Sequence, residues 1–76
     1  MHYLNGDPVR LGDRVVLSNM DSGVVVLSID TNEYSEEFPR RYWEKYGEGI
    51  MIRTDRGALV FLRDPNEHDL KREAPE

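Results

Sequence analysis

The chain has 76 residues, no cysteine, and 15 acidic against 10 basic side chains, for a net charge of -5. A chain this short buries only about 60% of the surface its unfolded form exposes, so it holds one small core, which neither a disulfide framework nor a thiolate metal site can supplement. The acidic excess disfavours broad contact with phosphate backbones, which depends on clustered Lys and Arg, and makes a basic partner the easier inference.

The charge is uneven along the chain. Residues 1–30 carry -2, 31–48 carry -2, 49–63 carry +2 and 64–76 carry -3, so only the third segment is cationic. The N-terminus lacks a basic start followed by an apolar stretch of signal-peptide length. No run approaches the roughly 18 apolar residues a membrane span needs, and a soluble, cytoplasmic protein is expected.

Taken in chain order, an edge strand is predicted within residues 2–4 or 8–11, with a turn at Asp7-Pro8 between those pieces. Gly12-Asp13 then turns the chain into the apolar, β-branched run 14–17, which predicts a strand. After a polar loop ending in Gly23, the run 24–29 is apolar on both alternating faces. It is therefore predicted to be the most buried strand, with one face on the core and the other under a covering element.

The segment 31–48 breaks this pattern, being rich in Glu and carrying Tyr34, Phe38, Tyr42, Trp43 and Tyr46. The last four of these rings follow helical spacing, which predicts a short helix crossing a barrel and packed over one opening. Ser35 is the expected cap, Glu36 and Glu37 the expected charges at the positive end of the dipole, Pro39 a first-turn residue and Gly47 the end. The runs 50–53 and 58–62 then flank Thr54-Asp55-Arg56-Gly57, a hairpin whose Gly57 suits the positive-φ position. Residues 64–76 have few core formers and are predicted to be a charged C-terminal tail outside a domain spanning 1–63.

Gly12-Asp13-Arg14-Val15, followed after a loop by Gly23-Val24-Val25-Val26-Leu27-Ser28-Ile29, resembles the "GD-x-V … G-x-V-x-x-I" opening of SH3-like barrels, including the KOW type. That resemblance implies a small barrel over roughly residues 12–62 and says little of function, because such barrels host unrelated tasks. The chain differs from nucleic-acid-binding KOW modules in being acidic and lacking a basic loop. The longer arrangement "NGDPVRLGDRV", "GVVVLSIDTNEYSEEFP", "W" and "DRGALV" is also similar to small uncharacterised bacterial proteins of toxin gene neighbourhoods, candidate immunity proteins for rearrangement-hotspot or type VI effectors. This second likeness implies an inhibitor of a toxin and assigns no binding residue.

The expected fold is thus mainly β: a five-stranded SH3-like barrel or bent antiparallel sheet with one short helix in the 31–48 connection. Its expected core comprises Val15, Leu17, Val24, Val26, Leu27, Ile29, Ile50, Ile52, Leu59, Val60 and Phe61.

Little in the sequence builds an enzyme, which needs a converging nucleophile, base and oxyanion donors. His2 and His68 fall in terminal segments, where solvent exposure is the blander expectation, although Asp64, Glu67 and Asp69 surround His68 with metal-ligating groups. Glu36 and Glu37 are adjacent and cannot converge on one substrate as an acid/base pair. Gly47-Glu48-Gly49 puts a carboxylate where a phosphate would approach, and no catalytic residue, cofactor or metal is expected.

The most informative feature is the aromatic group, in which Phe38, Tyr42 and Trp43 are open between capping the core and facing a partner. Beside the acidic residues, Glu33, Tyr34, Glu36, Glu37, Tyr42, Trp43 and Tyr46 form the expected partner-binding surface. The expected function is a non-enzymatic protein-binding module, an immunity protein or inhibitor occluding a basic bacterial toxin or effector. The alternative is a KOW-like RNA- or ribosome-associated module using the Arg53/Arg56/Arg63 hairpin, against which stands the simpler pairing of those arginines with the acidic excess.

Overall fold

The β-branched runs become strands. A computed structural model describes residues 2–3, 6–17, 21–63 and 70–73. It places β1 (Arg14–Val16), β2 (Ser22–Ser28), β3 (Ile50–Thr54), β4 (Leu59–Leu62) and β5 (Lys71–Arg72) in one antiparallel sheet of order β4-β3-β2-β1-β5. No ladder joins β4 to β5 among the described residues, so the sheet stays open. Of the two expected architectures, the bent antiparallel sheet is the one observed.

The fifth strand comes from the opposite end of the chain to the one expected. Where the N-terminal edge strand is predicted, the described residues show an isolated bridge between His2 and Pro8, with the Tyr3 amide donating to the Asp7 carbonyl at 2.8 Å. Pro8 has no N–H and cannot extend a ladder. The edge position goes instead to Lys71–Arg72, within the segment expected to be a frayed tail. Leu70, only 2% exposed, anchors it in the core, and the Glu73 amide donates to the Arg14 carbonyl at 2.9 Å. A two-residue strand of charged side chains suits a sheet edge, where shortness and charge discourage further pairing.

The Gly12-Asp13 turn has a definite structural task. Gly12 takes φ +91, a conformation a Cβ would penalise, and its amide donates to the Val25 carbonyl at 2.8 Å. The Asp13 carboxylate accepts from the Arg10 amide at 3.0 Å and from the buried Tyr3 hydroxyl at 2.7 Å. Burial first, and that hydrogen bond second, push the Tyr3 phenol well above its ordinary range. Gly23 serves packing instead: a Cβ there would stand 2.6 Å from the Arg53 carbonyl oxygen on β3.

Both faces of the sheet are covered. One buries Tyr3, Val9, Val15, Leu17, Val25, Ile50, Ile52, Leu62 and Leu70. The other buries Leu27, Ile29, Phe38 and Met51, with Val26, Tyr34, Trp43 and Phe61 packed against them. A bulge between Val25 and Leu27 explains how β2 serves both: Val25 pairs with Ile52, while Leu27 pairs with Met51, whose side chain points the other way. The expected core is corrected accordingly. Val15, Leu17, Leu27, Ile29, Ile50 and Ile52 are buried, whereas Val24, Val26, Val60 and Phe61 are only partly so, and Leu59 is 51% exposed. Strict alternation along β4 sets Leu62 and Val60 against one core and Phe61 against the other, leaving Leu59 at the uncovered end of its face.

The hairpin 54–58 forms as predicted, with the Thr54 amide donating to the Ala58 carbonyl at 2.8 Å and Gly57 at φ +88. The docking of Leu70 yields a stability test. Leu70→Ala removes a buried side chain and is expected to cost about 2 to 5 kcal/mol in urea unfolding. A tail outside the domain would leave the unfolding midpoint where it is.

Candidate functional site

The second face owes its cover to the chain between β2 and β3. It leaves β2 through a turn in which Ser28 and Glu33 exchange backbone hydrogen bonds at 3.0 and 2.8 Å, with Asn32 at φ 58. Glu33 is then occupied within the molecule. Arg10 donates to its two carboxylate oxygens at 3.3 and 3.2 Å, the Thr31 hydroxyl at 2.6 Å and the Leu11 amide at 3.2 Å. These donors, Arg10 foremost, hold its pKa down at about 2. Glu33 thereby ties Arg10 and Leu11 to the turn at the end of β2, with its side chain 23% exposed.

The helix is shorter than predicted, running only over α1 (Arg40–Trp43) and continuing as a 3-10 turn over Glu44–Tyr46. Pro39 is its N-cap, extended at φ -75 and ψ 148, and it biases the preceding residue away from helix. Ser35 consequently caps a turn before the helix, accepting from the Phe38 amide at 3.2 Å, and Glu36 and Glu37 lie ahead of the first helical turn. They do not compensate the helix dipole, as had been expected of them. Gly47 ends the element as predicted, donating to the Glu44 carbonyl at 3.0 Å.

No residue of α1 or of the 3-10 turn is buried. The element is held by rings instead. Trp43 sits 5.8 Å from Phe38 in an edge-on pair, 5.3 Å from Tyr46 and 6.0 Å from Phe61 on β4. Phe38, 6% exposed, belongs to the core, Trp43 is half-buried against it, and Tyr34 packs alongside. Tyr42 and Tyr46 face outward at 57% and 41% exposure. Of the aromatic residues expected to meet a partner, Tyr34 and Trp43 are half-buried, Tyr42 is exposed, and Tyr46 is exposed while also packing on Trp43 and Phe61.

The acidic and aromatic halves of that surface are separate. Around the tyrosines stand cations: Arg41 lies 5.1 Å from the Tyr42 ring centre, Lys45 5.5 Å from that of Tyr46, and Arg63 donates to the Tyr46 carbonyl at 3.2 Å. Glu36 and Glu37 rim an open groove of about 460 Å³ on the far side of Phe38, floored by Leu11 and Val26. Phe38 joins the halves, since it lines the groove and meets Trp43. Arg53, across the groove, forms an ion pair with Glu37 and lies 6.0 Å from the Phe38 ring centre.

The three arginines of the alternative RNA surface all have internal partners. Arg53 faces Glu37, Arg56 pairs with Asp21, and Arg63 holds the Tyr46 carbonyl. His2 is exposed at its bridge with Pro8, and His68, with Asp64, Glu67 and Asp69, lies outside the described residues. Among the described residues, no group of three or more His, Asp or Glu is arranged to hold a metal, and no helix is long and apolar enough to cross a membrane. No protein-family model matches the chain, and no curated protein or solved structure shows significant similarity to it.

Sequence reasoning missed Leu11 and Val26 as groove lining and Phe61 as a member of the ring cluster. Strict two-residue alternation along β4 was the available signal for Phe61. The contact of Leu11 with the aromatic segment had none, because it joins residues far apart in the chain.

Two measurements follow from this geometry. The depressed pKa of Glu33 adds stability that is complete above its ordinary value of 4.5 and is lost as pH falls toward about 2. Glu33→Gln is expected to lower the melting temperature at pH 7 and to flatten the acid limb between those values; an unchanged limb would leave Glu33 no such role. Trp43→Ala is expected to cost about 3 kcal/mol of stability, whereas Tyr42→Ala stays within about 0.5 kcal/mol, both read by denaturant unfolding.

Proposed function

We propose that the chain is a non-enzymatic protein-binding module of the cytoplasm, whose contact surface is centred on Tyr42 and Tyr46 and reaches across Phe38 to the lip at Glu36 and Glu37. Its partner is a basic protein, and inhibition by occlusion of a bacterial toxin or effector is the mode of action to be tested first. The observation that carries this reading is the exposure of two tyrosines, 57% and 41%, on an element that buries none of its own residues. Tyrosines presented from a rigid base are suited to anchor a protein interface, since they bring large contact area at little entropic cost. Charge acts at a different place, on the groove lip, where the exposed carboxylates steer a basic partner.

The RNA-binding alternative gains no support of this kind. Phosphate contact by Arg53 or Arg56 requires giving up Glu37 or Asp21, and the overall charge opposes a polyanion.

Co-expression with the product of the neighbouring gene tests the proposal. The two proteins are expected to co-purify and growth to be rescued from that product's toxicity. Tyr42→Ala should weaken the complex by about 2 kcal/mol, near thirty-fold in Kd, with an unaltered melting curve. Reversal of Glu36 and Glu37 to Lys should slow association while sparing the fold. Absence of a complex and of rescue, or binding indifferent to both variants, would remove the surface from consideration.

A further inference from the structure

The groove beside Phe38 combines two kinds of surface. Its floor is apolar, made by Leu11, Val26 and Phe38, and its rim carries Glu36 and Glu37 against a single cation among the described lining residues, Arg53. Arg53 is already committed to Glu37, so among the described lining residues one carboxylate, that of Glu36, is left in excess over the cations. An apolar trough ending in an uncompensated carboxylate matches a side chain with a long hydrocarbon stem and a cationic tip. The chain's own Arg53 displays the recognition in miniature, with its guanidinium paired to Glu37 and standing 6.0 Å from the Phe38 ring centre.

We propose that this groove receives an arginine side chain of the partner protein, its stem over Leu11 and Val26 and its guanidinium on Glu36 and Glu37 beside the Phe38 ring, in competition with Arg53. The proposal rests on the protein-binding reading above and names what the acidic lip would recognise. Arginine suits the site better than lysine. Its planar fork pairs with carboxylates in two-point geometry and stacks on an aromatic ring, while an ammonium does neither as well and is more strongly hydrated. The volume of about 460 Å³ lies within the range of small-ligand sites and leaves room beside Arg53 for a second long side chain. An anionic occupant is disfavoured, because the rim's only cation among the described lining residues is neutralised by Glu37.

The probe is a capped pentapeptide with a central arginine flanked by glycines, titrated into the isotopically labelled protein and followed by amide shifts at Gly12, Val26 and Phe38. Peptides carrying lysine or norleucine at the same place separate charge and shape from apolar filling. Millimolar binding of the arginine peptide is expected, weaker binding of the lysine peptide and none of the norleucine peptide. Glu36→Gln should weaken the arginine peptide about three-fold or more, in keeping with the loss of one exposed ion pair. Arg53→Gln should tighten it by a similar factor by releasing Glu37. Equal binding of arginine and norleucine peptides, or indifference to Glu36→Gln, would overturn the proposal, as would weaker binding by Arg53→Gln. Failure here is distinguishable from failure of the protein-binding reading: a complex that forms and responds to Tyr42→Ala while the peptide leaves the groove amides unmoved sinks only the groove. Peptide binding without any protein complex sinks only the wider reading.

Discussion

The bulge between Val25 and Leu27 is the constraint on which the rest of the molecule depends. A side chain two positions along a regular strand returns to the same face, so without the extra residue Val25 and Leu27 would share one core. With it, Val25 meets Ile52 and Leu27 meets Met51, so Leu27 joins the second apolar face to which alternation along β3 and β4 assigns Met51 and Phe61. A chain of 76 residues cannot leave such a face to water. The aromatic segment between β2 and β3 covers it, and that covering element carries the outward tyrosines.

How the segment covers the face is decided by Pro39. Pro39 is itself extended at the N-cap, so the helix starts only at Arg40, and Phe38 just before it lies in the core. Four helical residues are too few to be stable by themselves, so the element persists through the ring cluster of Phe38, Trp43, Tyr46 and Phe61. This division of labour, with some rings holding and others presented, allows a surface to be altered at Tyr42 without touching the fold.

Net charge is a coarse guide to this molecule. Several of the acidic side chains are matched locally, in the pairs Glu33 with Arg10, Asp55 and Glu73 with Arg14, Glu44 with Arg40, and Asp21 with Arg56. Exposed pairs of this kind contribute little stability each, and their effect is to set loop geometry and to remove charges from the free surface. Among the described residues, Glu36 and Glu37 face one arginine at the groove lip, while Arg41 and Lys45 stand against the tyrosines of the neighbouring element.

The strands 14–16, 50–54 and 59–62, the turn at Gly57, the covered second face of β2 and the aromatic segment were all legible in the sequence, because each is written in local patterns: β-branched runs, a positive-φ glycine, ring spacing. Local patterns could not show that Leu70 returns to the core and gives the sheet its fifth strand, since a single leucine in a charged segment has no periodicity. Nor could they tell which valine of three enters the core: Val25 does so because the bulge sets the phase, and pairing with β3 sets the bulge. The candidate site divides in the same way. Its residue types were readable, but the assignment of Glu33 to Arg10, of Phe38 to the core and of Arg53 to the groove depends on contacts between distant segments, which only the folded chain brings together.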